Sequence, residues 1–186
     1  IVMRMNLRML LVLPLLLVAS TASAGMKVDG RPKVSFFAVG SPGFLDIEGT
    51  TSNLVATDDG TTLSFACALD TISTGIDLRD EHMKSKFMHT QNFPQTTLSF
   101  AKSLVPWPTE VGKGATGTLT AAFTAHGVTK DVAVEYNVRK SKTGYKVTAK
   151  FPFDIVQHGI EVPSYLGVTV DTAMRAEVAF DLVDAP

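Results

Sequence analysis

The stretch "GTLTAAFTAHGVTKDVAVEYNVR", residues 117–139, decides the fold. Leu119, Ala121, Phe123 and Ala125 alternate with Thr118, Thr120, Ala122 and Thr124. Beyond Gly127, Val132, Val134, Tyr136 and Val138 alternate with Ala133, Glu135, Asn137 and Arg139. Successive side chains of a strand point to opposite faces, so each run carries one apolar and one more polar face. Two such runs on either side of a glycine turn predict an antiparallel hairpin, dry on one side and wet on the other.

The same period extends in both directions. "TLSFACALD", residues 62–70, puts Leu63, Phe65, Cys67 and Leu69 on one face. Residues 145–153 align Tyr145, Val147, Ala149, Phe151 and Phe153, and residues 174–182 align Met174, Ala176, Val178, Phe180 and Leu182. Weaker candidates are residues 33–39, 44–54 and 97–104, which brings the strands to about eight. Turn signals separate them at Asp58-Asp59-Gly60, Gly112-Lys113-Gly114 and Ser141-Lys142-Thr143-Gly144. Many short strands with few helices mean a sandwich or a closed barrel. The inner faces mix large residues with Ala121, Ala125, Ala149 and Ala176. That mixture suits either a filled interior or an elongated apolar cavity, since an eight-stranded barrel is just wide enough for both.

Residues 1–24 stand apart. Arg4 and Arg8 precede an apolar run from Met9 to Val18, and Ala22-Ser23-Ala24 closes the segment. A basic start, a short apolar run and a small-residue cleavage pattern predict a signal peptide cut near Ala24, hence a periplasmic or secreted product. Residues 25–186 then form one domain, with 15 basic against 18 acidic residues. That balance excludes nucleic acid as a partner, because phosphate binding needs a clustered positive surface. No other apolar stretch is long enough to span a bilayer, so contact with a membrane would be transient. The single cysteine, Cys67, cannot form an internal disulfide and falls on an inner face, where a core role is expected.

"DLRDEHMKSKFMHTQNFP", residues 77–94, breaks the alternation with charge. Asp77 is placed for a helix N-cap and Asp80 for its capping partner. Acids lie in the first turn and Lys84 and Lys86 in the last, as the helix dipole favours. Met83 and Phe87, four apart, would anchor the helix on a barrel end. The competing reading is chemical: His82, His89, Asp80 and Glu81 as metal ligands or hydrolytic groups. It lacks an HExxH spacing or a GxSxG elbow. His126 and His158 are expected to stand alone on turns.

Residues 73–100, "STGIDLRDEHMKSKFMHTQNFPQTTLSF", followed by residues 117–136 and by the closing stretch 154–182, resemble the YceI-like family of exported polyisoprenoid-binding proteins. The chain departs from that family's pattern at Val39–Gly43 and Gly49–Thr51. The resemblance implies an all-β, extended antiparallel, eight-stranded lipocalin-like β-barrel with one or two short helices. It also implies a long apolar tunnel holding a polyisoprenoid, a quinone or another long-chain amphiphile, with no cofactor and no catalysis. The expected lining is Leu63, Phe65, Leu69, Leu119, Phe123, Val134, Tyr136, Val147, Phe151, Val178 and Phe180. The helix over 77–88 and the segment Gly159–Gly167 would close the ends. A stress-related interaction protein with a dry barrel is the remaining alternative.

Overall fold

Alternating burial follows the alternating sequence from Met26 to Asp184, and all the strands it produces belong to one antiparallel sheet. The computed structural model describes residues 25–42, 45–165 and 167–185. The expected signal peptide lies outside the described residues, as do positions 43 and 44 of the segment expected over 44–54.

The strands are β1 (Met26–Ser41), β2 (Leu45–Thr51), β3 (Val55–Asp58), β4 (Thr62–Ala68), β5 (Gln95–Ala101), β6 (Gly114–Ala125), β7 (Val128–Lys140), β8 (Gly144–Asp154), β9 (Ser164–Tyr165), β10 (Val168–Val170) and β11 (Ala173–Asp184). A short helix, α1 (Asp77–His82), continues into a π-helical turn at Met83–Phe87. The path through the sheet is β3-β4-β5-β6-β7-β8-β11-β1-β10-β9, with β2 also on β1.

The eleven strands of the described residues agree with the expected eight once two details are seen. Strands β9 and β10 are a two- and a three-residue addition at one end of β1. Strands β2 and β3 are the halves of one extended run, interrupted at residues 52–54 and shared between the two sheet edges. β2 pairs with β1 from Val34↔Thr51 to Gly40↔Leu45, and β3 pairs with β4 from Val55↔Ala66 to Asp58↔Leu63. Side chains and a bridge stitch the interruption: Asn53 Oδ1 accepts the Ala68 N–H at 3.1 Å, Thr51 and Thr71 share a hydroxyl contact of 2.7 Å, and Thr50 exchanges backbone bonds with Ser73. At the far end the Met26 N–H donates to the Asp58 carboxylate at 3.0 Å. The sheet thus curls round on itself, and the seam relies on side chains where the ladder stops.

β6 pairs with β7 along its whole length but with β5 only at Thr97↔Thr124, Leu98↔Phe123 and Ser99↔Ala122. The gap that opens beside the first half of β6 is covered by the chain leaving β5. Val105 is buried there, and Trp107 donates its indole N–H to the Lys102 carbonyl at 2.9 Å and packs on Tyr145.

Candidate functional site

The inward faces do not fill the curled sheet evenly. Toward the end capped by Trp107 the interior narrows to a cavity of about 80 Å³. Aromatic rings take up the space: Phe65 lies 5.0 Å from Phe180 between centroids, and Trp107 lies 5.0 Å from Tyr145. Ten of the residues expected to line a tunnel surround this narrow part: Leu63, Phe65, Leu119, Phe123, Val134, Tyr136, Val147, Phe151, Val178 and Phe180. The eleventh, Leu69, faces a second and larger space.

That larger chamber has a volume of about 570 Å³, within the range that small-molecule pockets occupy. Its barrel wall comes from β1, β2, β8, β10 and β11 through Ala38, Ile47, Phe153, Val170 and Met174, with Ile155 and Ile160 from the turn after β8. Its other wall is the helical segment, through Ile76, Leu78, Met83, Phe87 and Met88. Phe36, Thr96 and Phe123 line both spaces and form the waist between them. Phe123 is wedged there by Phe151, Phe153 and the His158 ring, with centroids 5.0–5.2 Å away. Leu45, Ile76 and Leu78 line the same chamber yet are about half exposed, so they form an apolar rim at its mouth.

The helical residues of this wall were legible only as anchors in the sequence. Their spacing did not announce a cavity, because a period-3.6 pattern says which face is apolar and not whether that face is filled. The local geometry explains why so many of them reach inside. Only Asp77–His82 is α-helical; Met83–Phe87 forms a wider π turn, closed by the Met88 N–H on the Met83 carbonyl at 2.8 Å. Met83, Lys84, Lys86, Phe87 and Met88 consequently all line the chamber.

Two expectations about the helix start are corrected. Ile76, not Asp77, is the N-cap, and it makes no side-chain cap bond. Asp80 reaches back past the helix start instead. Its carboxylate accepts the Thr74 N–H at 2.8 Å, the Thr74 hydroxyl at 2.5 Å and the Ser73 hydroxyl at 2.8 Å. Burial pushes the Asp80 carboxyl up, but these donors, with Lys84 nearby, outweigh it and hold it below the ordinary 3.8. Arg79 is pinned to the same turn, Nε–H to the Thr74 hydroxyl at 2.7 Å and Nη2–H to the Thr74 carbonyl at 2.8 Å. Ser73 also belongs to the barrel seam, so Asp80 ties the lid to the sheet.

The proposed ligand set His82, His89, Asp80 and Glu81 is not brought together. Among the described residues no three His, Cys, Asp or Glu side chains are placed to hold a metal. Asp80 is occupied as above, and His89 Nδ1 lies 2.9 Å from His126 Nε2. His126, expected to stand alone, is therefore paired, and Phe93 packs on its ring. His158, also expected alone on a turn, is 1% exposed, and its Nδ1–H donates to the Val128 carbonyl at 2.9 Å. Cys67 is buried on the inner face, where desolvation pushes its thiol up to about 11 and leaves it unreactive as a nucleophile.

The model of the YceI-like domain matches residues 22–183. Similar folds occur in a polyisoprenoid binding domain from Saccharophagus degradans (13% identity, 88% of this chain and 99% of that one, TM-score 0.70) and in Burkholderia cenocepacia BcnA (13%, 81% and 96%, 0.62). The Campylobacter jejuni YceI protein is also similar (13%, 78% and 88%, 0.52). No curated protein matches the sequence. At such identities the structural likeness is one of fold.

Proposed function

Because the chain belongs to the YceI-like family, we propose that it is an exported carrier or store of a long-chain amphiphile, a polyisoprenoid, a quinone or a similar lipid, and that it acts by binding without catalysis. The observation that carries this reading is the chamber of about 570 Å³ under the helical lid, walled mainly by aliphatic, aromatic and methionine side chains. Each methylene moved there from water contributes about 0.8 kcal/mol, so roughly ten buried groups supply about 8 kcal/mol against the entropic cost of association. An apolar wall discriminates by length and shape, so a series of related chains would bind with graded affinity. The body of the ligand occupies the larger chamber. Beyond the waist at Phe36, Thr96 and Phe123 only the narrow cavity of about 80 Å³ remains.

The test is extraction of the protein, purified from its native host, with organic solvent and mass spectrometry of the extract. A stoichiometric prenyl lipid, quinone or long-chain amphiphile is expected. An empty extract, together with no binding of added prenyl or quinone chains, refutes the proposal. Export is checked on the same preparation: its first residue is expected to be Gly25, next to the predicted cleavage point.

A further inference from the structure

The charged groups around the larger chamber are of one sign. Arg79, Lys84 and Lys86 line it, with His82 beside them, and no carboxylate among the described residues does. All four stand on the lid, at the same side of the chamber as the half-exposed Ile76 and Leu78. The acids of the same segment are directed elsewhere. Asp80 is turned onto Ser73 and Thr74, and Asp77 and Glu81 are solvent-exposed residues outside the lining. Arg79 is held in place by Thr74, a neutral partner, so its full charge stays at the wall. Lys84 is shared in part with Asp80 through space, whereas Lys86 is exposed at the mouth.

Cations beside an apolar wall lose part of their hydration, and an anion seated against them restores that loss while its tail is buried. We infer that the ligand carries an anionic head, a carboxylate or a phosphate ester, held at the mouth by Arg79, Lys84 and Lys86 while the chain enters the chamber. This inference rests on the lipid-carrier reading and specifies the polarity and orientation of its ligand. An uncharged alcohol of the same length makes the apolar contacts and none of the charged ones.

The experiment compares matched pairs on the whole processed protein at low ionic strength: palmitate against hexadecanol, and farnesyl phosphate against farnesol. Each acid is expected to bind about fivefold or more tightly than its alcohol, as partly exposed charge pairs allow, and the advantage is expected to shrink as salt rises. In a Lys84→Gln/Lys86→Gln variant the acid-to-alcohol ratio falls toward one. In a Lys113→Gln/Lys142→Gln variant, with the same change in net charge on exposed turns away from the lid, the ratio is kept. Far-UV circular dichroism establishes that both variants are folded. An advantage for both acids supports a general anionic head, and an advantage for one alone identifies carboxylate or phosphate as its source. Alcohols that bind as tightly as acids, or a ratio that survives the Lys84/Lys86 changes, overturn the inference while leaving the carrier reading intact. Failure of all four ligands to bind overturns both.

Discussion

Replacing Phe123 by alanine would join the two interior spaces. The ring is 3% exposed and lines both the narrow cavity and the larger chamber. It is held by three rings at 5.0–5.2 Å, Phe151, Phe153 and His158. Truncating a buried Phe to Ala costs about 3–5 kcal/mol, and each lost aromatic contact contributes about 0.5–1.5 kcal/mol beyond burial. We therefore expect a loss of about 4 kcal/mol, or about 8–16 °C in Tm for a chain of this size. That is a large part of a total stability of about 5–15 kcal/mol, so a Phe123→Leu variant, expected to lose about 1.5 kcal/mol, accompanies it. Stability is read from urea unfolding and function from affinity across a series of alkanols of rising length. In the parent protein the gain per methylene should stop once the chamber is full. In both variants, and more so in the alanine one, it should continue to longer chains that pass the waist. A break point at the same chain length in parent and variants would refute the idea that Phe123 separates the spaces, even if stability falls as expected.

Three other outcomes follow from the same geometry. Thr96 is 4% exposed, and its hydroxyl has no hydrogen-bond partner among the described residues, so Thr96→Val should raise stability in the ligand-free protein by about 1–2 kcal/mol in urea unfolding; a clear loss would mean that the hydroxyl is satisfied. Asp80 is held below 3.8, so its contribution is complete above that value and is lost as pH falls through the lower folded value. The lid should therefore loosen in acid below about pH 4, and Asp80→Ala should cost about 2 kcal/mol at neutral pH and flatten that acid limb in pH-dependent thermal melts. Gly144 sits where a Cβ would collide with the Leu182 carbonyl and lie 2.9 Å from Val183 Cα. Both neighbours are backbone of the paired strand, so Gly144→Ala should lose about 3 kcal/mol or more, whereas an ordinary surface change on the same hairpin, Lys142→Ala, should lose almost nothing.

How far the sequence could be read depends on what kind of pattern each feature leaves. Strands such as β6, β7 and β11 were legible because a half-buried strand writes its two faces directly into alternate residues. The break in the seam strand was not, because Ser52-Asn53-Leu54 carries no strong turn signal; only the Asn53 bond to Ala68 and the Thr51 contact with Thr71 reveal one strand serving two edges. The helix was legible from its charge order. Its π turn and its cap were not, since Asp80 serves the preceding turn through Thr74, a contact set by where Ser73 is held on the barrel.

The candidate lining shows the same division. Inward direction follows from the side-chain period, and the residues chosen on that ground do face the interior. Which part of the interior stays open does not follow, because volume depends on how rings from distant strands meet. Phe65 and Phe180, far apart in the chain, close one end together, while the lid spans the other without filling it. The sequence by itself determined the alternation, the turns, the charged lid and the family, all consequences of local spacing. The tertiary structure alone decided where the chamber lies, which rings form its waist and that its charged lining is cationic, because those depend on the packing of side chains brought together by the curl of the sheet.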